Sequence, residues 1–93
     1  MVRGRFDFSH TALDNLELFG VTPREVLEAL GAASRLVQHI DDDMLRVVAP
    51  TSLGRLLEVV LTERGDDEWV VFLAREAGGR AKQAFDDWAG GPR

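Results

Sequence analysis

Between Arg3 and Phe8 the chain reads RGRFDF, polar and apolar by turns, with Phe6 and Phe8 on one side. That period of two predicts a short first strand. The period then lengthens. Leu13, Leu16 and Phe19 recur at helical spacing between Ser9, a suitable N-cap, and Gly20, a suitable stop, so a helix is expected over 10–19. Thr22-Pro23-Arg24-Glu25 sets threonine at N-cap, proline at N1 and glutamate at N3. This capping box opens a second helix running to about Ala32, with Val26, Leu27, Leu30 and Ala33 as its apolar stripe.

From Arg35 the period returns to two. RLVQHI over 35–40 and MLRVVA over 44–49 read as strands joined by an Asp41-Asp42-Asp43 turn, and Pro50 ends the second. Leu53 to Glu63 reads as a long strand. Leu57, Val59 and Leu61 share one of its faces, and Leu56, Glu58, Val60, Thr62 and Arg64 share the other. Both faces are partly apolar, as in a central strand covered on both sides. Residues 64–67, RGDD, form a hairpin loop, and EWVVFLAR over 68–75 returns as the last strand. Ala77, Ala81, Ala84, Phe85 and Trp88 then line one face of a final helix.

The order β-α-α-β-β-β-β-α, with short turns between consecutive strands, implies an α+β domain. Its sheet is expected to be an antiparallel β-meander, with two N-terminal helices and one C-terminal helix all on one face. Ninety-three residues allow one domain, taken as 1–89, with 90–93 as a flexible C-terminal tail.

Composition narrows the chemistry. There are no cysteines, which removes disulfide scaffolds, zinc knuckles and thiol catalysis, and makes a reducing cytoplasm the expected location. No apolar run at the start has the length of a signal peptide, and the longest mostly apolar stretch falls well short of the roughly 20 residues of a membrane span. Net charge is −5. Acid concentrates in residues 9–33, where Asp14, Glu17, Glu25 and Glu28 face Arg24 alone.

No phosphate-binding glycine loop, nucleophile elbow or zinc-binding helix occurs, and the aspartate run lacks the spaced ligands of a calcium loop. No metal and no cofactor is therefore expected. Arg46, Arg55, Arg64 and Arg75 each fall in or at the end of a strand. On one concave face they would hold phosphates through bidentate contacts. The plainer alternative is that they pair with Glu58, Glu63 or Glu68. His10 and His39 are the two histidines. Either could act as a base near neutral pH, although a first-turn position disfavours the protonated form of His10.

Residues 51–64, TSLGRLLEVVLTER, resemble the S-x-x-G-R-L-L-x-V-V-x-T-E-R strand of BrnT-type toxins, which belong to the RelE superfamily. Residues 74–80, AREAGGR, with Phe85 beyond, are similar to that family's S-A-R-x-A-x-x-x-E-R…Y junction. Phe6-Asp7-Phe8, Asn15-Leu16 and Gly20-Val21-Thr22 resemble its F-E-W-D…N-x-x-K-H-G-V-S opening. The likeness runs from about residue 6 to 88.

It implies the toxin of a toxin–antitoxin system, a metal-independent endoribonuclease in which a 2′-hydroxyl attacks the adjacent phosphate. The implied partner is a ribbon-helix-helix antitoxin. The implied catalytic residues are Arg46, Arg64 and Arg75 as stabilisers of phosphate charge, with Glu63 and His39 for proton transfer and His10 beside them. Arg55, Arg80 and Lys82 are the implied substrate-binding residues. The chain departs from the family where Leu18-Phe19 replaces Lys-His, Phe8-Ser9 replaces Trp-Asp, Leu73 replaces serine, and Ala81 follows Arg80 without the helix glutamate. Most of these changes trade polar groups for apolar ones. They keep open a catalytically weakened relative that binds a protein partner. Trp69 and Trp88 keep homo-oligomer formation open as well.

Overall fold

A computed structural model describes residues 5–90. The elements are β1 (Arg5–Phe8), α1 (His10–Phe19), α2 (Pro23–Leu30), β2 (Leu36–Asp41), β3 (Met44–Pro50), β4 (Leu56–Gly65), β5 (Glu68–Glu76) and α3 (Gly79–Gly90). Arg3 and Gly4 of the expected first strand, and residues 91–93 of the expected tail, lie outside the described residues. Gly90 closes α3.

Helix α1 starts where the Ser9 side chain accepts from the Ala12 backbone N–H at 3.0 Å. It stops at Gly20, whose φ of 67° is a left-handed conformation that costs a glycine little. In α2 the capping box is complete. Thr22 Oγ1 accepts from the Glu25 N–H at 3.1 Å, and Glu25 Oε1 accepts from the Thr22 N–H at 3.0 Å. The buried stripe of α2 is Val26, Ala29 and Leu30. Leu27 is exposed instead, one position and about 100° round the helix from Val26, and Ala33 lies beyond the helix end.

The five strands lie in the order β1-β5-β4-β3-β2. Strands β2 to β5 form the expected antiparallel meander. The sheet as a whole is mixed, because β1 pairs parallel to β5. A parallel neighbour needs a long crossover, and here α1, α2 and the meander supply it. Strand β4 is central, as its two apolar faces predicted. It begins at Leu56, and Leu53 sits in the preceding turn at 96% exposure.

The core lies on one side of the sheet. Leu45, Val47, Ala49, Leu57, Val59, Leu61, Val71 and Ala74 point into it against Ala12 and Leu16 of α1 and Val26, Ala29 and Leu30 of α2. Phe6, Phe8 and Trp69 pack at its margin. The expectation that all helices share this face is corrected by α3. It packs against β3 and buries Ala81. Val48 points away from the main core yet is fully buried. α3 thus covers one end of the opposite, outer face, and the domain has three layers there. The physical reason is that β3 carries the apolar Val48 on its outer side, so that end of the sheet needs a second cover.

Candidate functional site

Strand pairing decides which side chains share the outer face. Gln38 pairs with Arg46, Arg46 with Val60, and Glu58 with both Val48 and Arg75. Two adjacent rows of the outer face therefore carry Gln38 and Arg46 in one and Glu58 and Arg75 in the next, so that Arg46 lies diagonally beside Glu58. Glu58 sits in the middle of the apolar run of β4, and its side chain is only 7% exposed. A buried carboxylate requires partners, and it has two. Arg75 Nε donates to Oε1 at 3.1 Å, and Arg46 Nη1 donates to Oε2 at 3.4 Å. Arg46 is itself anchored by Gln38 Oε1, which accepts from Nε at 2.9 Å and from Nη2 at 2.7 Å. Arg75 uses only Nε, so neither of its Nη groups has a protein partner among the described residues. Two guanidinium groups on one carboxylate leave this spot with a positive excess in an otherwise acidic chain.

Arg64 also lies on the outer face but not in this cluster. It is six residues beyond Glu58 along β4, roughly 20 Å at the rise of a strand. It pairs with Asp7 of β1, and its Nε lies 3.4 Å from Glu68. Arg5 reaches the same Glu68 at 3.3 Å. These pairs tie the parallel edge strand to the β4–β5 hairpin. The plainer expectation, arginines matched to neighbouring acids, is what is observed for Arg46, Arg64 and Arg75 alike.

Glu63 and His39 stand on the other side of the sheet. Glu63 pairs with Trp69 and His39 with Leu45, both inward positions, and both residues are exposed at the sheet margins. The structure does not bring them to Arg46 and Arg75. His10 opens α1 and is exposed. Arg80 and Lys82 are exposed on α3, and Lys82 borders an open depression of about 280 Å³ with Gly54, Arg55, Leu56, Glu76 and Ala77.

Arg55 is a tie between elements. It donates to Glu76 Oε1 at 3.1 Å, to the Gly20 carbonyl at 2.9 Å and to Glu25 Oε2 at 3.2 Å. One side chain thus joins the end of α1, the start of α2 and the end of β5. Donation to Glu76, and then to Glu25, holds its guanidinium above the ordinary value. The Thr22 backbone N–H, and behind it Arg55, hold the Glu25 carboxyl below its ordinary value. A depressed carboxylate adds stability that is present above its unfolded pKa and lost as pH falls through the folded one. Thermal melts followed by circular dichroism should therefore show Tm falling as pH is lowered through the carboxylate range. Glu25→Gln should lower Tm at neutral pH and flatten that acid limb.

Sequence reasoning named Glu58 only as an ion-pair partner and missed it as a functional residue. Its signal was present: a lone carboxylate inside LLEVVL is costly unless something across the sheet neutralises it. Among the described residues no group of His, Cys, Asp and Glu is arranged to hold a metal ion, and no helix is long and apolar enough to cross a membrane.

No protein-family model matches the chain, and no curated protein matches it in sequence. A solved structure matches in fold. The crystal structure of the Brucella abortus ribonuclease toxin BrnT superposes with a TM-score of 0.64 at 15% identity, covering 81% of this chain and 97% of that one. The order of elements, the sheet and that superposition together give this chain a BrnT-like α+β fold.

Proposed function

We propose that the chain is a toxin-type endoribonuclease of the RelE superfamily whose outer sheet face takes an RNA phosphodiester, with a ribbon-helix-helix antitoxin as its neutralising partner. The observation that carries the reading is the convergence of Arg46 and Arg75 on Glu58 in a fold shared with a ribonuclease toxin. Attack of a 2′-hydroxyl on the adjacent phosphorus needs a proton acceptor and cations for the developing charge. The Nη groups of Arg75, unpartnered among the described residues, are suited to phosphate oxygens. A phosphate that draws the two guanidinium groups toward itself releases the Glu58 carboxylate from part of its ion pairing. That carboxylate then accepts the 2′-hydroxyl proton. The 2′-oxygen–phosphorus bond forms, the bond to the 5′-oxygen breaks, and water returns a proton to that leaving oxygen. The products are a 2′,3′-cyclic phosphate and a 5′-hydroxyl. Arg80 and Lys82, exposed and without ion-pair partners among the described residues, would extend the phosphate track along α3. Arg64, matched to Asp7 and Glu68, would serve at its far end.

A second reading is favoured by one observation. His39 and Glu63, the proton-transfer residues that the family likeness implied, lie across the sheet from the arginines. A relative that binds a protein partner without cutting RNA fits that arrangement and the net charge of −5. Incubating the purified protein with messenger RNA, with and without ribosomes and in excess chelator, separates the two. The nuclease reading expects fragments ending in a cyclic phosphate, lost in Glu58→Gln. Intact RNA under every condition, together with unslowed growth on expression, would leave only the binding module.

A further inference from the structure

Strand β5 contains one residue too many. Val60 of β4 pairs with Leu73 while the next residue, Leu61, pairs with Val71, so Phe72 is the extra residue of a β-bulge. The burial pattern shows which way it turns. Val71 and Ala74 both point inward and are fully buried in the core. Two residues lie between them where strict alternation allows one or three. Phe72 and Leu73 therefore stand side by side on the outer face. Phe72 takes no part in the core and is 43% exposed. Leaving a phenylalanine ring in water has a cost that a polar residue at the same place would avoid. Bulges recur beside functional sites because they redirect a side chain without moving the strand.

The surroundings of the ring say what it would meet. Three residues along β5 is Arg75, whose Nη groups have no protein partner among the described residues and whose Nε holds Glu58. Toward the other end of the same face is Arg64 with Asp7 and Glu68. Between the two clusters lie Val60, Thr62, Val70 and Leu73, all only partly buried. Among the described residues of β3, β4 and β5, Phe72 is the one large apolar side chain counted as exposed.

We infer that Phe72 is the specificity-determining residue of the outer face, stacking an unpaired nucleobase while Arg75 and Arg46 hold the neighbouring phosphate. This rests on the reading that the face takes RNA, and it makes the substrate single-stranded at the contact. An aromatic ring set next to guanidinium groups is the recurrent means of holding single strands, whose bases are free to splay out and stack. A duplex keeps its base faces sealed and offers the ring nothing. A protein partner is disfavoured as occupant, because the ring and the partly buried Val60, Val70 and Leu73 beside it are closed in at both ends by charged clusters, and charged residues are depleted at the centre of a protein interface.

The test uses an oligonucleotide of 2′-O-methyl RNA carrying a 2-aminopurine base. Its blocked hydroxyl prevents cleavage, so binding is read by itself through anisotropy and stacking through fluorescence quenching. Wild type should bind the single strand, quench the probe and bind the matching duplex more weakly. Phe72→Leu should lose about 5- to 100-fold in affinity together with the quenching, while Phe72→Trp keeps both. Circular dichroism melts verify that both variants fold. Equal affinity of a folded Phe72→Leu, a preference for duplex, or no binding by wild type overturns the inference. So does a Phe72→Leu variant that loses only its capture of an antitoxin, which would make this face a protein interface. Cleavage of ordinary RNA without any dependence on Phe72 sinks the stacking role and leaves the nuclease reading standing. Binding and quenching without cleavage does the reverse.

Discussion

On the proposed nuclease reading, Arg75→Ala is expected to lower the RNA cleavage rate by about two to three orders of magnitude, the usual effect of removing one donor aimed at transition-state charge. Arg75 is the guanidinium with the most donors to spare, since Arg46 spends Nε and Nη2 on Gln38. The loss should fall on the rate at saturating RNA more than on binding, because the charge on the phosphorane oxygens peaks in the transition state. Arg75→Lys should recover only part of the rate, since an ammonium keeps the charge but not the planar fork. Stability should change by only about 1 kcal/mol, because the pair is half-exposed at Arg75 and Glu58 retains Arg46. Single-turnover cleavage and a thermal melt on the same preparations check both halves. A variant as active as wild type would remove Arg75 from the chemistry.

Leu57→Ala should have the largest effect on folding. Leu57 is fully buried in the central strand, where truncation leaves a cavity that the flanking β3 and β5 cannot close by moving. The expected loss is about 3–5 kcal/mol, against a total of roughly 5–14 kcal/mol for a domain of this length. Such a loss corresponds to a Tm lower by roughly 12–40 °C. Leu53→Ala, four positions earlier at 96% exposure, should change stability by less than about 0.5 kcal/mol. Chemical denaturation of the two variants side by side measures the contrast directly.

That contrast marks the boundary between sequence and tertiary structure. Sequence pattern by itself determined the kind and order of the elements, because a period of two or 3.6 is a property of neighbouring residues. It also determined where two helices begin and one ends. Ser9, the Thr22–Glu25 box and Gly20 act within one turn of chain. The inward set of β4, Leu57, Val59 and Leu61, was legible for the same reason.

What lies side by side across strands was not legible. The parallel pairing of β1 with β5 joins residues more than sixty positions apart, and no local pattern encodes it. The side of the sheet taken by α3 depends on which end of β3 needs cover. Parity along β5 alone sets Arg75 on the inner side with Val71, and the bulge turns it outward, while the register separates Arg64 from Arg46 and Arg75 and sets Glu58 between those two. His39 and Glu63 fell on the inner side by that same register. The bulge sets Leu73 beside Phe72 on the outer face and shifts the alternation beyond it by a single residue, a change invisible in a run as uniformly apolar as WVVFLA. Periodicity is local, whereas a site on a sheet is assembled from lateral neighbours, and those are chosen by packing the whole chain at once.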